Sequence, residues 1–473
     1  MKIKYISAKY VAFCHWNICI VFMLFPLFLH GQESMTLEKC RKMALENNKQ
    51  IAIAEQNKEK ASATVKAYRA NFLPRISATG LAYYTSAEND FKVKTDNIHL
   101  FNPDDLNGIL PPNLLPVVSQ FSTISIPDMN FNLNLNNSYL VGVSVEQPIF
   151  MGGKITSAYK MAKTGNDIAK QNQKLTETEV IQQTDEAYWM YVKATELKKS
   201  SEKYKKVVTE LYRVVENAQK TGMKSQNDVM KVQVKLNEAE LQLLQAENGT
   251  RLARMNLCHI IGIHLLSEIM LPESFDYALL SMDDNVDVTS RPEYAMLSKR
   301  VQLKEQEKKL VRSEFLPNIG VRGGYNYMYG LKLNDEVLMD NTSFSAMISV
   351  NIPLFHWGEG ANKIRIAETE KKIAQIQWQE ATEKMQLELT QTLNRYEESI
   401  LEIQLTANSL KQAEENLKIS RNHYDVGMET LADYLEAQTL WQKASSDFIN
   451  AKAALKLSET YYMKAAGKLR IEE

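Results

Sequence analysis

The sequence predicts a mainly α protein with a membrane β-barrel part, built as two copies of one unit: helix, strand pair, long helix, helix. Three observations predict it. Landmark residues recur at one constant offset, apolar residues recur every seventh position over long stretches, and four strand-length segments alternate apolar with small polar residues.

The composition fits this class. The 473 residues include only 18 Gly and 12 Pro, and 24% are charged. Such a mix suits long helices with few turns. A net charge of −1 leaves no basic footprint, so no nucleic-acid partner is expected.

The N-terminus predicts export. Lys2, Lys4 and Lys9 precede an apolar run from Val11 to Leu29, and Gly31 follows as a small residue. Residues 1–31 read as a secretory signal. A membrane anchor is the alternative, because the run approaches the ~20 residues of a spanning helix. His15, Asn17 and Pro26 weaken that alternative. Cys14 and Cys19 lie within the signal, which leaves Cys40 and Cys258. Their spacing suggests neither a metal site nor a disulfide framework.

The duplication rests on paired landmarks. Pro148-Ile149-Phe150 is echoed by Pro353-Leu354-Phe355, 205 positions later (148 to 353). Gly153 and Gly358, Gly222 and Gly427, and Asp228 and Asp433 keep the same offset. Upstream, Phe72-Leu73-Pro74 is echoed by Phe315-Leu316-Pro317. The first copy is longer by 38 residues between its two Pro landmarks (74 to 148, against 317 to 353). The extra length falls between Thr85 and Asn137, which is rich in Asn, Pro and Ser and reads as a long loop. The copies occupy 36–263 and 292–473, with 264–291 as linker.

Seven-residue spacing sets the helices. Met190, Leu197, Tyr204, Leu211 and Ala218 form one stripe. Leu389, Tyr396, Ile403, Leu410, Leu417 and Tyr424 form another. Tyr434, Trp441, Phe448, Leu455 and Tyr462 form a third, matched in the first copy by Val229, Leu236, Leu243, Thr250 and Leu257. Such stripes pack helices side by side as coiled coils. Breakers bound long helices near Lys154–Lys220 and Glu359–Val426, each ~100 Å long. Shorter ones are expected near Thr36–Ala70, Gln226–Ile261, Pro292–Glu314 and Leu431–Ala466.

The strands have period two. Tyr139, Val141, Val143 and Val145 share one face, as do Ile319, Val321, Gly323, Tyr325 and Tyr327 in the second copy. Phe344, Ala346, Ile348, Val350 and Ile352 line another strand, and Ile76 to Tyr84 a weaker one. The opposite faces hold mostly Gly, Ser, Asn, Arg and Glu, which suits lipid outside and water inside a barrel. Four strands cannot close such a barrel, and open edges cannot face lipid. Several copies must therefore share one; the strands alone permit a dimer or anything larger.

Together these landmarks resemble the TolC-type outer-membrane efflux proteins across the mature chain. The most specific match is Tyr424-Asp425-Val426-Gly427 continuing to Leu431-Ala432-Asp433-Tyr434-Leu435-Glu436-Ala437. The resemblance implies an outer-membrane location with a periplasmic helical portion. It also implies a homotrimer sharing a 12-stranded barrel, with the helices forming a periplasmic tunnel. It further implies a periplasmic membrane-fusion adaptor, an inner-membrane pump and outer-membrane lipid as partners. The cargo would be small toxic molecules or, for some members, proteins.

The implied site is a gate. Acidic residues matching Asp433 and Glu436 ring the family's constriction, where repeated carboxylates favour and bind cations. The alternative for Asp433 is a helix cap. The family also places an Arg two positions after the second turn Gly, joined to the positions of Asp228 and Tyr424. Here that position is Glu429, while the first copy carries Lys224 at its equivalent. We expect Lys224 to supply the bridging charge, to Glu429 or Asp433. Gly222 and Gly427 are the expected turn glycines.

Catalysis is not expected. His259 and His264 lack a third ligand at useful spacing, and no nucleophile elbow, P-loop or dinucleotide fingerprint occurs. No cofactor and no metal are predicted. A periplasmic coiled-coil adaptor or structural protein is the competing function, although it would not need four bilayer-length strands.

Overall fold

A computed structural model of the chain describes residues 35–272, 286–330, 332–334 and 336–470. The expected signal, 1–31, lies outside the described residues. In chain order the principal elements begin with α1 (Leu37–Asn47), α2 (Lys49–Ala70), β1 (Arg75–Tyr83), β2 (Glu88–Val93), β3 (Ile98–His99) and β4 (Thr123–Ile124). Then come β5 (Met129–Asn134), β6 (Ser138–Met151), α3 (Lys154–Lys220), α4 (Gln226–Ile260), α5 (Pro292–Ser313) and β7 (Asn318–Tyr329). The chain continues with β8 (Lys332–Leu333), β9 (Glu336–Val337), β10 (Asp340–Asn351), α6 (Glu359–Asp425) and α7 (Leu431–Ala465). Both α3 and α6 have 67 residues, and both α4 and α7 have 35.

The copies thus match element for element, with two corrections. The expected single helix from Thr36 to Ala70 is broken at Asn48, whose backbone is extended. The Asn48 amide donates to Ile260 O (2.8 Å), while its own side-chain oxygen accepts from Gln50 N (2.8 Å). One side chain thereby ties the junction to α4 and starts the next helix. The segment from Thr85 to Asn137 is more than a loop. It pairs β2 with β5 and β3 with β4, and adds a helical turn at Leu115–Ser119. Alternation there is too short to stand out among the Asn and Pro residues.

The chain forms two compact units. One unit draws on described residues 57–170 and 296–380 and contains the sheets. Its main sheet is antiparallel, in the order β1-β6-β7-β10. The register sorts the side chains by face. Ala78, Val143, Tyr325 and Phe344 lie in one row across the four strands, and Ser77, Ser144, Gly324 and Ser345 in the next. Directly opposed residues share a face and adjacent rows alternate, so one face is mainly apolar and aromatic and the other mainly small and polar, apart from Leu81, Leu140, Met328 and Met347. Phe344 and Ile348 on the apolar face are 75% and 72% exposed, far beyond what a core strand leaves open. Tyr139 stacks on Tyr329 at 5.0 Å on that face. Among the described residues no helix is long and apolar enough to cross a membrane.

Each strand pair leaves through a left-handed turn. Gly152 and Gly153 have φ of +59° and +87°, and their counterparts Trp357 and Gly358 have +49° and +80°. Left-handed backbone costs a residue bearing Cβ roughly 1–2 kcal/mol.

The other unit draws on described residues 35–56, 171–272, 286–295 and 381–470 and is helical. Its coiled-coil stripes turn inward as expected. Tyr204, Leu211, Tyr396, Ile403, Leu455 and Tyr462 are buried, and Tyr396 stacks on Tyr462. Met190 departs from its stripe and is 50% exposed. Small polar pairs let helices approach closely: Ser399 and Ser458 hydroxyls meet at 2.7 Å, and those of Ser200 and Ser445 at 2.9 Å. The cluster around Val180, Tyr188, Leu257 and Ile261 also holds Cys40 and Cys258. It encloses one charge. Asp185 is fully buried and accepts two bonds from Arg41, at 2.7 and 2.6 Å, and one from the Thr460 hydroxyl at 2.9 Å.

Both cysteines are buried and free. Burial pushes the Cys40 thiol up to about 12, with Asp185 adding to the shift, and burial raises Cys258 as well. Since the thiolate is the reacting form, a charged maleimide at pH 8 is expected to label neither in the folded protein and both after unfolding. Rapid labelling of the native protein would contradict this burial.

Candidate functional site: the paired helix tips

The two helix hairpins of the helical unit end in nearly identical turns. After α3, Gly222 takes φ +77°, and after α6, Gly427 takes φ +76°. A Cβ at either would meet nothing within 4 Å, so the requirement is conformational rather than steric. Met223 N donates to Ala218 O and Met428 N to His423 O, both at 2.8 Å, which closes each long helix in a Schellman motif. Both methionines are 80% exposed.

Each following helix opens with a capping box. Asp228 N donates to Ser225 Oγ, and Ser225 N and Oγ donate back to Asp228 Oδ2. Asp433 and Thr430 repeat the arrangement, with Thr430 Oγ1 to Asp433 Oδ2 at 2.6 Å. Asp433 therefore belongs to the cap at its third position, with Thr430 as the cap itself. Its side chain is nonetheless exposed, as is that of Glu436 one helical turn on.

The two tips differ in what lies beneath them. Tyr424 at the end of α6 stacks on Tyr434 of α7, with ring centroids 5.3 Å apart and planes within 18°. The first copy has Gln219 and Val229 at these two positions. Lys224 Nζ sits over the Tyr424 ring, 4.7 Å from its centroid. The ring is 7% exposed and packs with Leu211, Val215, Val229, Leu431 and Leu435. Burial raises the Tyr424 phenol above its ordinary value, and the nearby Asp228 carboxylate adds to this. The Tyr424 hydroxyl and Glu429 Oε2 are buried without a hydrogen-bond partner in the single chain.

The structure thus brings Lys224, Asp228, Tyr424 and Tyr434 together between the tips. Among the described residues Lys224 makes no ion pair within 4 Å, with Glu429 and Asp433 included; its charge rests on the aromatic ring. Tyr434 escaped notice as a site residue because it also continues a heptad stripe.

The Asp228 carboxyl is held below the usual carboxylate range, chiefly by the bonds from Ser225, with Lys231 and Lys224 assisting. A lowered folded value means the stabilisation is complete above the unfolded value, about 3.9, and is lost as pH falls through the folded one. A fluorophore on Met223→Cys is therefore expected to report a constant environment from pH 7 to about 5 and a looser tip below about 4. A change centred near pH 6 would point to another group.

Long paired helices with matched capped tips and an open two-faced sheet define an envelope channel class of protein. The chain belongs to the outer membrane efflux protein family, whose model matches residues 40–263 and 289–468. It is an outer-membrane efflux channel protein, with its helical portion in the periplasm. The fold is similar to the Campylobacter jejuni CmeC outer membrane channel, with a TM-score of 0.71 and 19% identity over 91% of this chain and 85% of that one. It is also similar to VceC of Vibrio cholerae, with a TM-score of 0.69 and 14% identity over 92% of this chain and 97% of that one. The open-state MtrE channel of Neisseria gonorrhoeae gives 0.70 and 17%, over 92% and 90%. No curated protein matches the sequence.

Proposed function

We propose that three copies close one 12-stranded barrel and form a periplasmic tunnel. A periplasmic adaptor and an inner-membrane pump would deliver small toxic molecules, or proteins, into it. The observation that carries this reading is the open sheet. β1 and β10 each have one unpaired edge. Those edges cannot face lipid, and four strands fall short of the roughly eight that close the smallest barrels. Strand directions alternate, so β10 runs opposite to β1 and can continue the antiparallel pattern on a neighbouring copy. The choice of three copies follows the family resemblance. In detergent the protein is expected to have the mass of three chains and to give discrete conductance steps in planar bilayers. A monomeric mass, or recovery in the soluble periplasmic fraction, overturns the reading.

The tips would be the gate, with Asp433 and Glu436 ringing the constriction. Lys224 would hold Tyr424 in place within its own chain and lie within reach of a carboxylate, Glu429 or Asp433, on assembly. Lys224→Glu and Glu429→Lys are each expected to raise resting conductance, and the double variant to restore it in part. Unchanged conductance in all three would remove Lys224 from the gate.

A further inference from the structure

The strand-to-helix turns provide an internal comparison. At Gly152 only glycine fits, because a Cβ would come within 2.6 Å of Leu316 Cβ and 2.7 Å of Ser313 O. Its counterpart in the second copy is Trp357, in the same left-handed conformation and 90% exposed. Asn137 and Asn334 are the other non-glycine residues with positive φ among those described. Asparagine tolerates that region because its short amide can bond locally, but a tryptophan there is strained. A bulky apolar side chain held in a strained backbone and left in water is disfavoured twice. Strain of this kind persists where an interaction elsewhere compensates it.

Among the described residues little compensates that strain. Trp357 touches the edge of Phe355, ring centroids 4.9 Å apart, and that ring is itself 69% exposed. The turn beneath is firm: His356 packs edge-on against Phe315 at 5.9 Å, and Glu359 N donates to His356 O at 2.8 Å. The two outer aromatics are therefore pushed outward by an ordered turn. They also continue an established surface. The apolar row Ile348 and Val350 of β10 runs on at the same period, past the strand end, through Ile352 into Leu354, which is 90% exposed. That row is the lipid-facing side of the sheet, and the turn leads into a periplasmic helix.

We propose that Trp357 is a lipid anchor, its indole seated in the headgroup layer of the periplasmic leaflet of the outer membrane. The occupant is phospholipid. Tryptophan suits this layer because its ring is apolar and its N–H still finds a polar partner. Lipid burial then compensates the strained turn, and fixes the height of the barrel where the second copy emerges. The first copy, restricted to glycine, contributes Ile149 and Phe150 at the same level without the indole. The inference rests on the sheet spanning the membrane.

The test uses the mature protein in phosphatidylethanolamine and phosphatidylglycerol vesicles carrying lipids brominated near the headgroup. Trp189, Trp378 and Trp441 lie on helices and are half-buried, so quenching by bromolipid isolates Trp357. The wild type is expected to lose part of its emission to bromolipid. Trp357→Gly is expected to abolish that loss while leaving the heat-dissociation temperature in detergent unchanged or higher, because the strain is relieved. Equal quenching in both proteins overturns the anchor. So does wild-type emission that bromolipid leaves untouched, with Trp357→Gly dissociating at lower temperature, since the indole then packs on protein. Co-flotation separates the two failures. Protein that floats without quenching sinks the anchor alone, whereas protein that does not float sinks the membrane-spanning sheet and the anchor with it.

Discussion

With Asp433 and Glu436 ringing the pore as proposed, neutralising both, as Asp433→Asn with Glu436→Gln, is expected to remove most of the cation preference and multivalent-cation block that such a ring would confer. The two carboxylates project from the first turns of α7 and are exposed in the single chain. Repeated around a narrow pore, they concentrate negative potential. A unit-charge pair at 4 Å is worth about 4 kcal/mol at an effective dielectric near 20. Loss of several carboxylates should therefore weaken block at least tenfold, about 1.4 kcal/mol. The single variants separate field from fold. Glu436 takes no part in the capping box, so Glu436→Gln should alter selectivity and leave stability alone. Asp433→Asn retains an oxygen for Thr430 but loses the charge, so it should also loosen the start of α7. Bilayer recordings with and without a multivalent cation decide the matter, and an unchanged blocking constant in the double variant would place the constriction elsewhere.

The second large effect is on stability. Arg41→Ala is expected to destabilise the helical unit by about 3–5 kcal/mol, because it strands the fully buried Asp185 carboxylate without its bidentate partner. Thr460 alone cannot offset that burial. An apolar replacement of both, Arg41→Met with Asp185→Leu, should recover most of the loss, since the desolvated charge goes too. Urea unfolding of the solubilised protein measures both. If Arg41→Ala unfolds like the wild type, the pair contributes nothing to holding α1 and α7 on α3.

Much of the fold was legible in one sequence because it is written twice. A strand of period two and a helix of period seven each announce themselves, and an echo at a constant offset removes the ambiguity of any single stretch. The observed limits of α3 match the expected ones, and those of α4, α6 and α7 fall within one residue of them, because Gly222 and Gly427 punctuate the sequence between the helices. The break at Asn48 was hidden, since a short polar run such as Glu46 to Gln50 also fits the exposed face of a continuous helix. The strands between Thr85 and Asn137 were hidden by their length.

The site was legible in part. Gly222, Gly427, Asp228 and Asp433 stand out as paired turn residues, and the structure gives each a conformational or capping role. The seat of Lys224 over the Tyr424 ring was not legible, because a charge at a tip suggests a carboxylate partner and the ring comes from another helix; the carboxylate pairing belongs to the proposed assembly. The Arg41–Asp185 pair went unread although Asp185 sits on the apolar face, three residues before Tyr188 and four after Ile181. Its partner lies 144 positions away, and no local pattern links them.

By itself the sequence determined the duplication, the periodicities and the turns, since these depend on residues within a few positions of one another. Which residues face each other across helices depends on packing over long separations, and only the tertiary structure decided it. That is why the structure was needed to seat Lys224 on Tyr424, to bury Asp185 under Arg41, and to show that Trp357 holds a glycine's conformation while almost fully exposed.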